Sequence, residues 1–240
     1  MISGLSVVIP VYNEKDNVTP LIKEVADALS GLIPYEIVFV DDASTDGTRS
    51  QLKQHAAENN TVRIISHARN RGQSAAVVTG VRHAAYPWVA TLDGDRQNHP
   101  NDLKQFIQAI EQSDHSNILC MGQRLKRQDN WLRRCSTKIA NGVRRYFLKD
   151  NCLDSGCGIK IFPREVFLSL PLFRNCHRFL PALFSRAGSK IIYIPVSHRP
   201  RVAGVSKYGV MNRLWVGIVD LFGVAWLMRR FIEVEGCEDV

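Results

Sequence analysis

Asp93-Gly94-Asp95, with Gln97 two residues on, is a pattern able to hold a metal ion. Two carboxylates ending the apolar run Trp88–Leu92 repel each other unless a cation lies between them. Their hard oxygens suit Mg2+ or Mn2+, with the Gln97 amide oxygen and the phosphates of a ligand completing the shell. A metal placed on a diphosphate neutralises its charge for binding and stabilises the charge that develops as it leaves. Asp-x-Asp alone recurs by chance, so its company decides its weight. Pro10–Glu14 and the block Asp41-Asp42-Ala43-Ser44-Thr45-Asp46-Gly47 each follow another apolar run. Asp, Asn, Ser and Gly also form turns and cap helices, and for Ser44–Gly47 capping explains the composition as well as a site does.

These blocks need a scaffold that brings strand ends together. The first 120 residues alternate β-branched runs with helical patterns, which predicts βαβ units on a parallel sheet. Strands are expected at 5–11, 36–40, 62–66 and 88–92, each almost continuously apolar as for strands covered on both faces. Helices are expected at about 18–30, 45–58 and 72–85, with Pro20 early in the first, and another after Pro100. In such sheets ligands bind beyond the carboxyl ends of the strands, where all three polar blocks fall. Further on, a strand at 159–162, helices near 164–169 and 177–187, and a strand at 191–196 are expected.

A chain of 240 residues, 45% hydrophobic and 22% charged, is an ordinary globular composition and excludes disordered, collagen-like and disulfide-dense classes. Its six cysteines show no CxxC pair, which favours reduced thiols and a cytoplasmic setting. Residues 1–5 lack the features of a signal peptide, and the apolar stretch 211–232 is interrupted by Arg213, Asp220, Arg229 and Arg230, so no spanning segment is expected.

The net charge of +8 is equalled by the single segment 124–149, which holds nine Lys or Arg against one Asp. Trp131, Leu132, Ile139, Val143, Tyr146 and Phe147 recur among these charges at roughly helical spacing, the pattern of a basic interfacial helix or of a solvated basic face on a core helix. The loop from His198 carries Arg199, Arg201 and Lys207, able to clamp phosphate oxygens or simply to be solvated. Residues 211–230 predict a helix whose stripe of Leu214, Trp215, Ile218, Val219, Phe222, Ala225 and Trp226 suits a core or a bilayer interface. Residues 1–210 are expected as the catalytic domain, with 211–240 as an appended amphipathic helix.

Ser6–Glu14, Val40–Thr48, Asn70-Arg71-Gly72 and Leu92–Asp95, in this order and spacing, resemble the successive blocks of family 2 glycosyltransferases with the GT-A fold. Asp95–Pro100, Gly122-Gln123-Arg124, Ser155–Gly158 and Arg201-x-x-Gly204-x-Ser206-Lys207-Tyr208 resemble the polyprenyl-phosphate branch, similar to dolichyl-phosphate mannosyltransferases. The resemblance implies an α/β fold with a mostly parallel, Rossmann-like sheet. It places Pro10, Tyr12, Glu14 and Asp42 at the nucleotide, joined by Asp93, and gives Asp93, Asp95 and Gln97 to the metal and diphosphate. It puts Arg124 near sugar and acceptor, and Arg201 and Lys207 at the phosphates.

The activity so implied moves a sugar from a nucleoside diphosphate sugar, GDP-mannose or a UDP-hexose, to a polyprenyl phosphate with inversion. The enzyme would be peripheral on the cytoplasmic face of the membrane, with segment 124–149 and helix 211–230 against anionic lipid. Many members of the family that act on alcohols present a Glu-Asp pair as base, where this chain has Leu153-Asp154-Ser155. A phosphate acceptor, with a second pKa near about 6, is already anionic and leaves Asp154 a positioning task. Three rivals are a sugar-hydroxyl acceptor with Asp154 as base, a silent nucleotide-binding relative, and a receiver domain built on Asp41-Asp42. Nucleic acid is not an expected partner, because the carboxylates would repel its phosphates.

Overall fold

The computed structural model describes residues 2–124, 142, 144–148, 150, 152, 154–197, 199 and 210–230, with side chains in the last stretch from 217 onward. Arg201 and Lys207, most of the basic segment, Cys135 and Cys237 lie outside the described residues. Along the chain run β1 (Leu5–Val11), α1 (Lys15–Leu29), β2 (Tyr35–Asp41), α2 (Thr48–Glu58), β3 (Val62–Ser66), α3 (Gln73–His83) and β4 (Trp88–Thr91). Then come α4 (Leu103–Glu111), β5 (Ile118–Arg124), β6 (Lys160–Pro163), α5 (Arg164–Ser169), α6 (Leu180–Arg186), β7 (Lys190–Val196) and α7 (Val210–Arg229).

The strands form one sheet of order β3-β2-β1-β4-β6-β5-β7. Every pairing is parallel except those of β6, which runs against β4 and β5. The register sets Thr91 opposite Lys160 at the end of β4. The inner strands are buried on both faces while the edge strands β3 and β7 are partly exposed: Val18, Leu21 and Val25 of α1 and Phe106 of α4 cover one face, and Val77 and Val81 of α3, Phe167 of α5 and Phe184 of α6 the other.

Three elements differ from the sequence expectation. Helix α1 begins at Lys15 rather than near residue 18, which leaves Pro20 in the second turn instead of early in the helix. Burial of Val18, Leu21, Ile22 and Val25 sustains the helix across the missing N–H. Strand β5 was not expected at all, although Ile118 to Met121 are fully buried. The helix expected over 177–187 is a 3-10 turn at Cys176–Arg178 followed by α6.

Helix α7 divides the apolar stripe of residues 211–230. Leu221, Val224 and Ala225 join the core, while Val219, Phe222 and Trp226 stay exposed, Trp226 at 60%. Asn175 donates to Asp220 at 2.9 Å, and the Phe147 ring meets Phe222 edge-on at 5.3 Å, which fixes the helix against the body.

Candidate functional site

The loops leaving β1, β2 and β4 each contain a non-glycine residue in the left-handed region: Asn13 at φ 55, Ala43 at φ 64 and Arg96 at φ 59. Backbone of this kind persists where surrounding bonds over-determine it. Asn13 N–H donates to Ser44 Oγ at 2.9 Å, and Asn13 Oδ1 accepts from Thr45 N–H at 2.7 Å, stitching the first loop to the second. Asp46 Oδ1 accepts from Thr48 N–H at 3.0 Å. Ser44–Gly47 thus builds the rim through turn and cap bonds, and the pocket is lined by residues on either side of this block.

That pocket, about 340 Å3, lies at the carboxyl ends of β1 and β4. Pro10, Tyr12, Glu14, Asp42, Asp93 and Asp95 all line it, so the five residues given to the nucleotide and two of those given to the metal converge, Asp93 counting in both. Asp42 is buried at 4% exposure, and its Oδ1 accepts from His67 Nδ1 at 2.7 Å and from Arg71 N–H at 2.8 Å. Its Oδ2 accepts from Gly72 N–H at 2.8 Å, which presents the carboxylate as a fixed wall of the pocket. Asp41, by contrast, turns away to Arg49 Nε at 2.7 Å.

Asp93 and Asp95 share the floor. Burial, and next the neighbouring charge of Asp95, push the Asp93 carboxyl up to about 6. Among the described residues no set of three His, Cys, Asp or Glu is gathered to enclose a metal ion, so a cation held here takes its remaining ligands from a bound molecule. The crowding of two carboxylates fits such an ion. Gly158 permits it: a Cβ there would lie 2.2 Å from Asp93 Oδ2 and 2.7 Å from Asn98 Oδ1. Lys160, buried at 4% exposure, donates to the Cys157 carbonyl beneath this floor, and burial holds its ammonium below the usual lysine range.

Arg124, at the end of β5, makes a two-pronged contact with Asp154, Nε to Oδ2 at 2.5 Å and Nη2 to Oδ1 at 2.6 Å. Arg124 N–H also donates to Asp154 Oδ2 at 3.4 Å. The side chains are 13% and 6% exposed, and the Asp154 hydrogen bond raises the guanidinium's affinity for its proton further. Gln97 lies outside the pocket lining, its backbone N–H on Asp95 Oδ1 at 3.1 Å and its amide directed at the Arg199 carbonyl. Arg199 N–H donates to the Gln97 carbonyl at 3.1 Å, and Glu24 accepts from Arg96 Nη2 at 2.5 Å and from Arg199 Nη2 at 2.6 Å. The loop that leads to Arg201 therefore departs from beside the Asp95 loop.

The pocket also contains residues that sequence reasoning did not single out: Gln73, Thr91, Lys160, His177 and Arg178. Gln73 Nε2 donates to Asp93 Oδ1 at 3.0 Å, and Thr91 Oγ1 to the Gly158 carbonyl at 2.7 Å. His177 Nδ1 lies 2.6 Å from Ser74 Oγ, and burial drops its imidazole to about 3, so it is neutral. A lysine inside the apolar run Ile159–Phe162 was a readable signal for Lys160; nothing local marks His177.

The description "Glycosyl transferase family 2" matches residues 6–170, which contain every pocket residue named above except His177 and Arg178. The chain belongs to glycosyl transferase family 2. Two relatives extend the likeness of this glycosyltransferase over nearly its full length. Dodecaprenyl-phosphate galacturonate synthase of Rhizobium johnstonii is 35% identical over 94% of this chain and 67% of its own length. Undecaprenyl-phosphate 4-deoxy-4-formamido-L-arabinose transferase of Edwardsiella ictaluri is 35% identical over 88% of this chain and 65% of its own. The chain thus spans about two thirds of these relatives. Glucosyl-3-phosphoglycerate synthase from Mycobacterium tuberculosis, crystallised with Mn2+, UDP and phosphoglyceric acid, superposes with a TM-score of 0.71 at 16% identity, over 97% of this chain and 80% of that one. A second crystal structure of that synthase, with Mg2+ and UDP, gives the same TM-score. The sheet and its flanking helices are the GT-A fold that the sequence blocks implied.

Proposed function

We propose that this glycosyltransferase moves a sugar from a nucleoside diphosphate sugar to a polyprenyl phosphate at an anionic membrane surface, with inversion. The observation that carries the reading is the engagement of Asp154 by Arg124. A hydroxyl acceptor needs a carboxylate turned to its proton, whereas a phosphate acceptor needs a cation. Asp154 positions that cation. The two relatives are named for polyprenyl-phosphate substrates, which supports the same acceptor class.

Pro10, Tyr12, Glu14 and Asp42 would hold the nucleoside, and Asp93 and Asp95 a Mg2+ or Mn2+ with Gln97 close by on the same loop. When bound, the ion supplies positive charge to the diphosphate as it leaves. The acceptor phosphate oxygen forms a bond to the anomeric carbon from the face opposite the diphosphate. The carbon–oxygen bond to the diphosphate breaks, and the nucleoside diphosphate departs with that electron pair. Arg124, with Arg201 and Lys207, would draw the two anionic reactants together against their repulsion. Val219, Phe222 and Trp226, exposed on α7, together with Tyr146 and Arg145, would rest the enzyme on the lipid surface, with residues 211–240 serving as the attachment to the catalytic unit 1–210.

The deciding experiment incubates the enzyme with UDP- and GDP-sugars, Mn2+ and undecaprenyl phosphate, and follows lipid-linked sugar by mass spectrometry. The reading expects a phosphodiester-linked product with one donor. Sugar transferred only to a hydroxyl acceptor overturns it.

A further inference from the structure

Beside the donor pocket a second cavity, of about 740 Å3, runs along α3. The two share Asn70, Gln73, His177 and Arg178. Ala75, Val78 and Arg82 fall on one stripe of α3, at i, i+3 and i+7, with Arg71 just before the helix, so the groove follows a helix about 16 Å long.

Five arginines line the groove, Arg69, Arg71, Arg82, Arg174 and Arg178, and no Asp or Glu does. Arg69, Arg71, Arg82 and Arg174 are exposed, and among the described residues none of these four has an ion-pair partner. The carboxylates bonded to the lining are engaged: Asp42 by the Arg71 and Gly72 N–H groups at 2.8 Å and by His67 at 2.7 Å, Asp93 by Gln73 at 3.0 Å and Asp220 by Asn175 at 2.9 Å. The floor is different in kind. Ala75, Val78, Leu172 and Phe173 are half-buried, an apolar strip beneath the charged rim. Uncompensated guanidiniums repel one another and match phosphate oxygens in forked geometry, while the strip suits hydrocarbon.

We propose that this groove is a binding site for a phosphorylated lipid, the phosphate on Arg69, Arg71, Arg174 and Arg178 and the hydrocarbon along Ala75, Val78, Leu172 and Phe173 towards Arg82. Neither Arg124 nor Asp95 lines it, so the site borders the donor pocket through Asn70, Gln73, His177 and Arg178 without including the residues given to the transfer step.

The test uses the full chain without metal ion and titrates octyl phosphate, below its micelle concentration, and inorganic phosphate by calorimetry. Octyl phosphate is expected to bind about tenfold more tightly than inorganic phosphate. Arg69→Gln/Arg174→Gln, at exposed positions that should not disturb folding, is expected to weaken both about tenfold, and Leu172→Ser to weaken octyl phosphate alone. The double variant should keep its Mn2+-dependent thermal shift with UDP, and Asp95→Ala should lose that shift while still binding octyl phosphate, so that failure of the donor reading is separable. Equal affinity for the two ligands would make free phosphate the occupant and overturn the lipid assignment. Binding of both unchanged in the double variant would overturn the site.

Discussion

Arg124 and Asp154 face each other side-on, two nitrogens to two oxygens at 2.5 and 2.6 Å, although thirty positions separate them in the chain. Both are largely withdrawn from water, so removing one strands the other's charge, at a cost of about 3–5 kcal/mol. Arg124→Ala and Asp154→Ala are therefore expected to be non-additive, the double variant being little worse than either single one. A double-mutant cycle on urea stability should give a coupling comparable to the cost of one single substitution, about 3–5 kcal/mol.

The same contact predicts kinetics. Asp154→Asn should lower kcat/KM for the acceptor by about 10–100-fold through misplacement of Arg124, with the shape of the pH–rate profile unchanged. A lost acidic limb would show that Asp154 removes a proton.

Asp93 offers a pH signature. Its carboxyl sits at about 6 in the folded protein, above its ordinary value of 3.8, so its ionisation opposes folding. That penalty is absent below the ordinary value, grows between the two, and is complete above about 6. Asp93→Asn should raise the Tm of the metal-free protein at pH 7.5 and leave it nearly unchanged at pH 4. It should also abolish the Mn2+-dependent Tm shift with donor, which in the wild type should weaken as pH falls through about 6.

Gly158 is tested by a single methyl. With a Cβ only 2.2 Å from Asp93 Oδ2, Gly158→Ala must displace the carboxylate or the backbone leading into β6, costing about 1–3 kcal/mol. The expected outcome is a folded protein by circular dichroism whose donor-dependent thermal shift is lost.

Glu24 clasps Arg96 and Arg199 from α1. Burial pushes its carboxyl up, but the two guanidiniums outweigh this and hold it below the ordinary carboxylate range. The clasp stabilises the fold above the unfolded carboxylate range and is lost as pH drops through the depressed folded value. Glu24→Gln is expected to cost about 1–2 kcal/mol in urea at pH 7, with the difference from wild type shrinking at pH 3.

The donor half was readable because local pattern and location coincide there. Val7 to Ile9, Ile37 to Val40 and Val89 to Leu92 are apolar because both sheet faces are covered, and the polar block after each can only lie on the rim. Ser44 and Asp46 show the limit of that logic, since their oxygens hold loops together beside the pocket. Strand β5 is hard to read because only Ile118 to Met121 is apolar and Gly122-Gln123-Arg124 completes the strand. His177 reaches the pocket through tertiary packing, which no local spacing announces, whereas Lys160 is marked by its place in an apolar run. The split of α7 into Leu221, Val224 and Ala225 inward and Phe222 and Trp226 outward likewise depends on which neighbours arrive.

Because β6 runs against β4, the end of one strand and the entry to the other meet on the same rim, Thr91 beside Lys160. The chain between β5 and β6 leaves from Arg124 and returns at that seam. Lengthening a connection whose ends are pinned costs only about 0.6 kcal/mol per doubling. The interval between Arg124 and Asp154 is therefore a stretch in which lineages can rewrite length and composition cheaply, while Asp93, Arg124, Asp154 and Gly158 keep their mutual places. Diversity among relatives of this fold should concentrate there, as exchange of one part around an inherited seam.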